Sequence, residues 1–241
     1  MDFYKPPQTA SRIEELKAKT PDLSRSDFFR NKQSYQDFRE LINEREKTSV
    51  LVIGLGRLEE PLGYLSTYYN NKQSFLGLDA TLVDIQEKKE FQQLIDSDSM
   101  YFLGRNIQGE PRSPIDCTQD AFKITPSGEF VAKDVIKEKL SEIVEEHGYY
   151  EISIQDESDI IKSGITKQKY DFVSANNVLQ YIDKQNLESV LDSLVELVEN
   201  EGLISLRTEE SETIKIINLH MRQFHGEFER IGKGRYKKNR K

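Results

Sequence analysis

The run Ser49-Val50-Leu51-Val52-Ile53, closed by Gly54-Leu55-Gly56, constrains this chain more than any other segment. Four consecutive aliphatic residues leave a strand with no polar face, so both sides of it must be covered. A parallel sheet with helices on each face meets that condition. The rest of the chain repeats the theme. Residues 80–83 predict a second strand ending at Asp84, and residues 150–154 alternate as a third that stops at Gln155-Asp156. Tyr170-Asp171-Phe172-Val173-Ser174 is a fourth, and residues 203–206 are a fifth.

Helical periodicity fills the intervals. Residues 34–46 predict a helix with Tyr35, Phe38, Leu41, Ile42 and Arg45 on one face and a capping box of Ser34 with Asp37. Leu58, Leu62, Leu65 and Tyr69 line a helix after the glycine turn. Phe91, Leu94 and Ile95 anchor another, and Ile136, Leu140, Ile143 and Val144 mark a helix over 133–146. After Asp183, the residues Leu187, Val190, Leu191, Leu194 and Val198 fall at helical spacing until Asn200-Glu201-Gly202 breaks the pattern. Strands alternating with helices predict an α/β fold with a doubly wound, mostly parallel sheet. Residues 1–48 read as a short helical N-terminal segment, with one helical stretch near 11–19. Residues 49–241 read as the main domain, with 97–130 as an irregular Gly-, Pro- and Ser-rich insertion.

Composition removes several classes of function. A net charge of −8 in 241 residues argues against binding nucleic acid through a global positive field. The sequence has no apolar run near 18 residues and no basic-then-apolar leader, so neither membrane insertion nor a signal peptide is expected. The single Cys117 fits a reducing, cytoplasmic setting. His147, His220 and His225 make no metal set, because the last two fall on different faces of a helix and no cysteine cluster supports them. The basic residues of 233–241 read as a solvated, frayed terminus, with contact to phosphates or an acidic partner as the alternative.

The candidate chemistry lies just after the predicted strands, where ligands of open α/β sheets bind. Gly54 and Gly56 let the backbone turn tightly and approach a ligand. Asp84 can accept hydrogen bonds from ribose hydroxyls. Two turn glycines and a capping aspartate are the plainer alternative. The turn lacks the third glycine of a dinucleotide fingerprint. Glu59-Glu60-Pro61 follows it, and two carboxylates would repel a pyrophosphate but attract a ligand bearing an ammonium and a sulfonium. That favours S-adenosylmethionine over NAD or ATP, unless the glutamates only complement the helix N-terminus.

Gly54-Leu55-Gly56-Arg57-Leu58-Glu59-Glu60-Pro61 resembles the G-C-S-x-G-E-E-P signature of the chemotaxis-receptor glutamate methyltransferases, the CheR-type family. Further blocks follow in order. Asp27-Phe28-Phe29-Arg30 is similar to the family's F-F-R, Val83-Asp84-Ile85 to its T-D-I, and Gly128-Glu129-Phe130-Val131 to its G-x-Y-x-V. Tyr170-Asp171-Phe172-Val173 through Asn177-Val178-Leu179-Gln180-Tyr181 resembles F-D-x-I-x-C-R-N-V-L-I-Y. The likeness spans residues 25–210.

The resemblance implies a class I methyltransferase fold, Rossmann-like, with a seven-stranded sheet and S-adenosyl-L-methionine as cofactor. It implies that Glu60 binds the amino group of the methionine moiety, that Asp84 binds the ribose, and that Asp156, where the family usually has Asn, lies near the adenine. Gly54, Gly56, Asn176 and Asn177 complete the cofactor set. Arg30 and Tyr181 match positions lining the methyl-transfer site. The plainer readings are a surface arginine, a core tyrosine and a pair of turn asparagines. A protein glutamate, as in the cytoplasmic region of a chemoreceptor, is the implied acceptor. It is already ionised at neutral pH, so alignment and exclusion of water are what the enzyme must supply. Losing one positioning contact costs on the order of 10²-fold in rate. Leu58 replaces a family glycine, Asn176 stands where the family has arginine, and the N-terminal region is shorter. These departures keep open a small-molecule or other protein acceptor, and a catalytically inactive regulatory protein that binds S-adenosylmethionine. Oligomeric state is not legible in the sequence.

Overall fold

The computed structural model describes residues 31–55, 59–84, 87–96, 117–124, 130–152 and 154–240. The stretch at 11–19, the F-F-R segment with Arg30, the residues Gly56 and Leu58, and most of 97–130 lie outside them.

The first strand, β1 (Thr48–Ile53), pairs in parallel with β2 (Leu78–Asp84) on one side and β6 (Tyr170–Ser174) on the other. β5 (Tyr149–Glu151) extends the sheet beyond β2, and β7 (Val198–Ser205) extends it beyond β6, both in parallel. β9 (Arg235–Lys238) then runs antiparallel to β7, with β8 (Phe228–Gly232) antiparallel to β9 at the far edge. The seven strands lie in the order β5-β2-β1-β6-β7-β9-β8. A separate antiparallel pair, β3 (Phe122–Ile124) with β4 (Phe130–Ala132), sits in the region expected to be irregular.

β1 shows why its sequence is apolar throughout. Val50 and Val52 enter a core shared with α1 (Lys32–Asn43), α2 (Glu59–Lys72), α3 (Lys88–Asp96) and α4 (Asp134–Glu145). Leu51 and Ile53 enter a second core shared with α5 (Glu157–Ser163), α6 (Lys184–Glu196) and α7 (Ser211–Met221). Successive side chains point to opposite faces, so a strand covered on both faces has no position for a polar residue. The fold is therefore a doubly wound, Rossmann-like α/β fold with a mostly parallel seven-stranded sheet.

α1 joins the first core through aromatic rings. Tyr35 and Phe38 meet Tyr64 of α2 edge-on at 5.0 and 5.3 Å between centroids, and Phe38 meets Phe172 at 5.1 Å. A Cβ at Gly63 would lie 2.2 Å from the Tyr35 ring, so a glycine is required where α1 crosses α2.

Several local expectations change. The Ser34–Asp37 capping box does not form. The helix begins at Lys32, Ser34 is buried and hydrogen-bonds Tyr64 Oη at 2.7 Å, and Asp37 pairs with Arg235. Arg45, expected on the buried face, follows the helix and pairs with Asp171, whose other oxygen accepts from Ser49 N at 2.8 Å. The third strand is Tyr149–Glu151, shorter than 150–154. α6 ends at Glu196, and Asn200-Glu201-Gly202 lies within β7, with Glu201 at φ 59° where the register with β6 slips. The basic C-terminal stretch is not a frayed tail. Arg235–Lys238 is an inner strand, with Tyr236 buried and Lys238 Nζ donating to Val198 O at 2.8 Å. Alternation puts Tyr236 and Lys238 on the buried face, where Val198 O satisfies the lysine ammonium, and leaves Arg235 and Lys237 on the other face. Among the described residues no helix is long and apolar enough to cross a membrane, and no group of three or more His, Cys, Asp or Glu could hold a metal ion.

Candidate functional site

The order of the sheet reverses at β1. From β1 the chain builds outward through β2 and β5, then returns to β6 on the other side. Ligands of open α/β sheets bind outside the carboxyl ends of the strands at such a switch point. Gly54, Asp84, Asn176 and Asn177 all lie where strands end there.

Gly54 has φ 78°, and its N–H donates to Val83 O at 2.8 Å. A Cβ would lie 2.7 Å from Val178 Cβ, so glycine is needed for the turn and for the close approach of Val178. Leu55 N donates to Asp84 Oδ2 at 2.5 Å, which makes Asp84 the group that fixes the turn after β1.

Glu60, in the first turn of α2, is 2% exposed. Its Oε1 accepts from Ser174 Oγ, from Asn176 Nδ2 at 2.8 Å and from Tyr64 Oη at 3.4 Å, whereas Oε2 takes no hydrogen bond among the described residues. Burial pushes its pKa up from 4.5 to about 7, against the lowering effect of those bonds and of Arg207's charge. The same burial, with the charge of Glu60 added, raises Tyr64 well above the usual tyrosine range.

Asn176 joins this network to the next strand. Its Oδ1 accepts from Ser205 Oγ at 2.8 Å and from Arg207 N at 2.9 Å. Asn177 has φ 57°, in the left-handed region that asparagine tolerates better than most residues, and its N–H donates to Arg207 O at 2.6 Å. Tyr181 is half-buried in a short 3₁₀ turn, Leu179–Tyr181, that follows β6. Asp156 lies at the N-cap of α5, where its Oδ1 accepts from Ser158 N at 2.7 Å and Asp159 completes a capping box. Arg30 and Gly56 lie outside the described residues.

Reading the sequence alone missed Tyr64, Ser174, Ser205 and Arg207. Tyr64 lies one helical turn beyond Glu60, and Ser174 is the small polar residue closing an otherwise bulky strand. Both signals exist, but neither announces a partner on another element.

The fold and the rim define a Rossmann-like α/β protein with two carboxylates near the carboxyl ends of its strands, Asp84 on β2 and Glu60 bonded to Ser174 of β6. No family model matches the chain, and no curated protein matches it significantly. Among solved structures the chain is similar to an O-methyltransferase family protein from Burkholderia thailandensis, with 12% identity, a TM-score of 0.42, and coverage of 100% of this chain and 64% of that one. The chain thus spans 64% of the length of that protein.

Proposed function

We propose that the chain is an S-adenosylmethionine-dependent O-methyltransferase that methylates glutamate carboxylates of a protein acceptor resembling the cytoplasmic region of a chemoreceptor. The observation that carries the proposal is the pair of acids at the switch point. Asp84 ends β2 beside a glycine turn, and Glu60 starts α2 with one oxygen saturated and the other unbonded among the described residues. Two carboxylates suit a ligand with a ribose, an ammonium and a sulfonium, and they oppose a pyrophosphate. The ordered sequence blocks from Arg30 to Tyr181 support the same reading.

In this reading Glu60 holds the cofactor's ammonium, Asp84 its ribose hydroxyls, and Asp156 lies toward the adenine. Gly54, Gly56, Asn176 and Asn177 shape the backbone around it. The bound cofactor supplies an electrophilic methyl group. Tyr181 orients the acceptor carboxylate, and Arg30 neutralises part of its charge without capturing the attacking oxygen. The acceptor arrives ionised, so no side chain has to act as its base.

A second reading is a regulatory protein that binds the cofactor without turnover. Val178 favours it, because its side chain packs where a Cβ on Gly54 would lie, so the bare backbone of the turn meets a side chain there.

Thermal denaturation with S-adenosylmethionine, S-adenosylhomocysteine and NAD tests the cofactor. A ligand at a hundred times its Kd stabilises the native state by about 2.7 kcal/mol. The first two compounds are expected to raise Tm and NAD to leave it unchanged. No shift with the first two would sink both readings. Labelled methyl groups appearing on a receptor fragment as base-labile esters would then exclude the inactive version.

A further inference from the structure

An ammonium pairs well with a carboxylate that is held still and has an oxygen to spare. Glu60 meets both conditions. Its Oε1 takes every hydrogen bond that the described residues give the group, from Ser174 Oγ, from Asn176 Nδ2 at 2.8 Å and from Tyr64 Oη at 3.4 Å. Oε2 takes none of them. The donors stand on two packed elements. Ser174 ends β6 in register with Val52 of β1 and Ser205 of β7, and Tyr64 lies one turn along α2 from Glu60 itself.

Tyr64 is fixed at both ends. Its ring sits among those of Tyr35, Phe38 and Phe172, at 5.0, 5.3 and 5.0 Å between centroids. Its hydroxyl lies 2.7 Å from Ser34 Oγ and 3.1 Å from Ser174 Oγ. An ionised carboxylate only accepts, so Ser174 spends its one proton on Glu60. The order Ser34 to Tyr64 to Ser174 to Glu60 then points every hydroxyl of the cluster at the acid, and each bond in such a chain polarises the next. The three hydroxyl-bearing residues are at most 1% exposed, so water does not compete for them.

We propose that Ser174 and Tyr64 are positioning residues for the cofactor: they commit Oε1 of Glu60 to the protein and leave Oε2 as the oxygen that meets the ammonium. This rests on the function proposed above, since it needs an ammonium-bearing ligand at Glu60. The same contacts set the charge of the acid. Burial raises Glu60 to about 7, and the bond from Ser174 opposes that rise more than the bonds from Asn176 and Tyr64 or the charge of Arg207. Among the described residues, Tyr64 and Arg207 are the titratable groups acting on Glu60. Tyr64 stays neutral, because burial pushes it well above the usual tyrosine range, and Arg207 stays charged. Glu60 is thus the member of this cluster that titrates near neutrality.

The test is calorimetry of S-adenosylhomocysteine binding to the full chain at pH 6, 7 and 8.5, in the wild type, Ser174→Ala and Tyr64→Phe. Wild-type affinity should rise as Glu60 ionises. Ser174→Ala removes the strongest donor, so the rise should come about one pH unit higher. Its affinity should be about tenfold below the wild type at pH 6 and within about twofold at pH 8.5. Tyr64→Phe keeps the ring contacts and should lose about threefold at pH 6, which decides the matter if Ser174→Ala does not fold. Side chains that only braced the core would weaken binding equally at each pH. That result, or unchanged affinity in both variants, overturns the proposal alone. Wild-type protein that binds no S-adenosylhomocysteine overturns it together with the function it rests on.

Discussion

The two halves of the sheet rim are built by different means. At the ends of β1 and β2 the polar groups serve the backbone. Asp84 accepts from Leu55 N, Gly54 turns through a positive φ, and Asp156 caps α5. At the ends of β6 and β7 side chains bond to one another, from Ser34 through Tyr64, Glu60, Ser174 and Asn176 to Ser205. The first half is held by conformation and the second by a network with a titrating acid at its centre. One should therefore be indifferent to pH near neutrality, and the other should not.

The largest effect expected is at the glycine turn. Gly54→Ala combines a positive φ with a 2.7 Å contact to Val178 and should cost about 3 kcal/mol. Urea denaturation should give the same loss at pH 6 and pH 8. A loss that varied with pH would break the division between the halves.

Glu60→Gln sharpens it. Because the folded pKa is raised, the wild type keeps the full stability of a protonated Glu60 below about pH 4.5 and loses it as pH rises through about 7. The loss amounts to roughly 3 kcal/mol at most. A glutamine amide cannot ionise, so the variant should match the wild type near pH 4.5, exceed it near pH 8, and lack that part of the slope. The same acid predicts that S-adenosylmethionine, whose ammonium needs the carboxylate ionised, binds more tightly as pH rises from 6 to 8. Titration calorimetry in two buffers of different ionisation enthalpy would reveal the proton released. Parallel stability profiles for the two proteins would remove Glu60 from the centre of the network.

The smallest effect belongs to Asp156. Losing its cap in Asp156→Ala should cost about 1 kcal/mol. If Asp156 also faces the adenine, affinity for S-adenosylhomocysteine falls in the same variant. If the cap is its whole role, calorimetry shows affinity unchanged.

Much of this molecule was legible in the residue order, and the reason is local. Val50 to Ile53 announced a doubly covered strand because every position in it is apolar. Leu187, Val190, Leu191 and Leu194 announced α6 because they recur at helical spacing. The switch-point residues Gly54, Asp84 and Asn177 were legible because each sits at or just after a strand end. The errors arose where a distant partner outvoted a local preference. Ser34 could cap its helix, but Tyr64 thirty residues away takes its hydroxyl into the core. The basic C-terminus looks solvated by composition, but β7 offers an open edge, and alternation lets Tyr236 face the core.

The sequence alone thus determined the alternating elements, the parallel sheet and the acids and glycines at strand ends, because spacing and residue type act within a few positions. Tertiary structure alone decided that Glu60 would be buried among Tyr64, Ser174 and Asn176, and that Ser34 of α1 would reach the same cluster. Glu60 and Asn176 stand 116 positions apart, and desolvation and hydrogen bonding at such range depend on packing that no local pattern encodes.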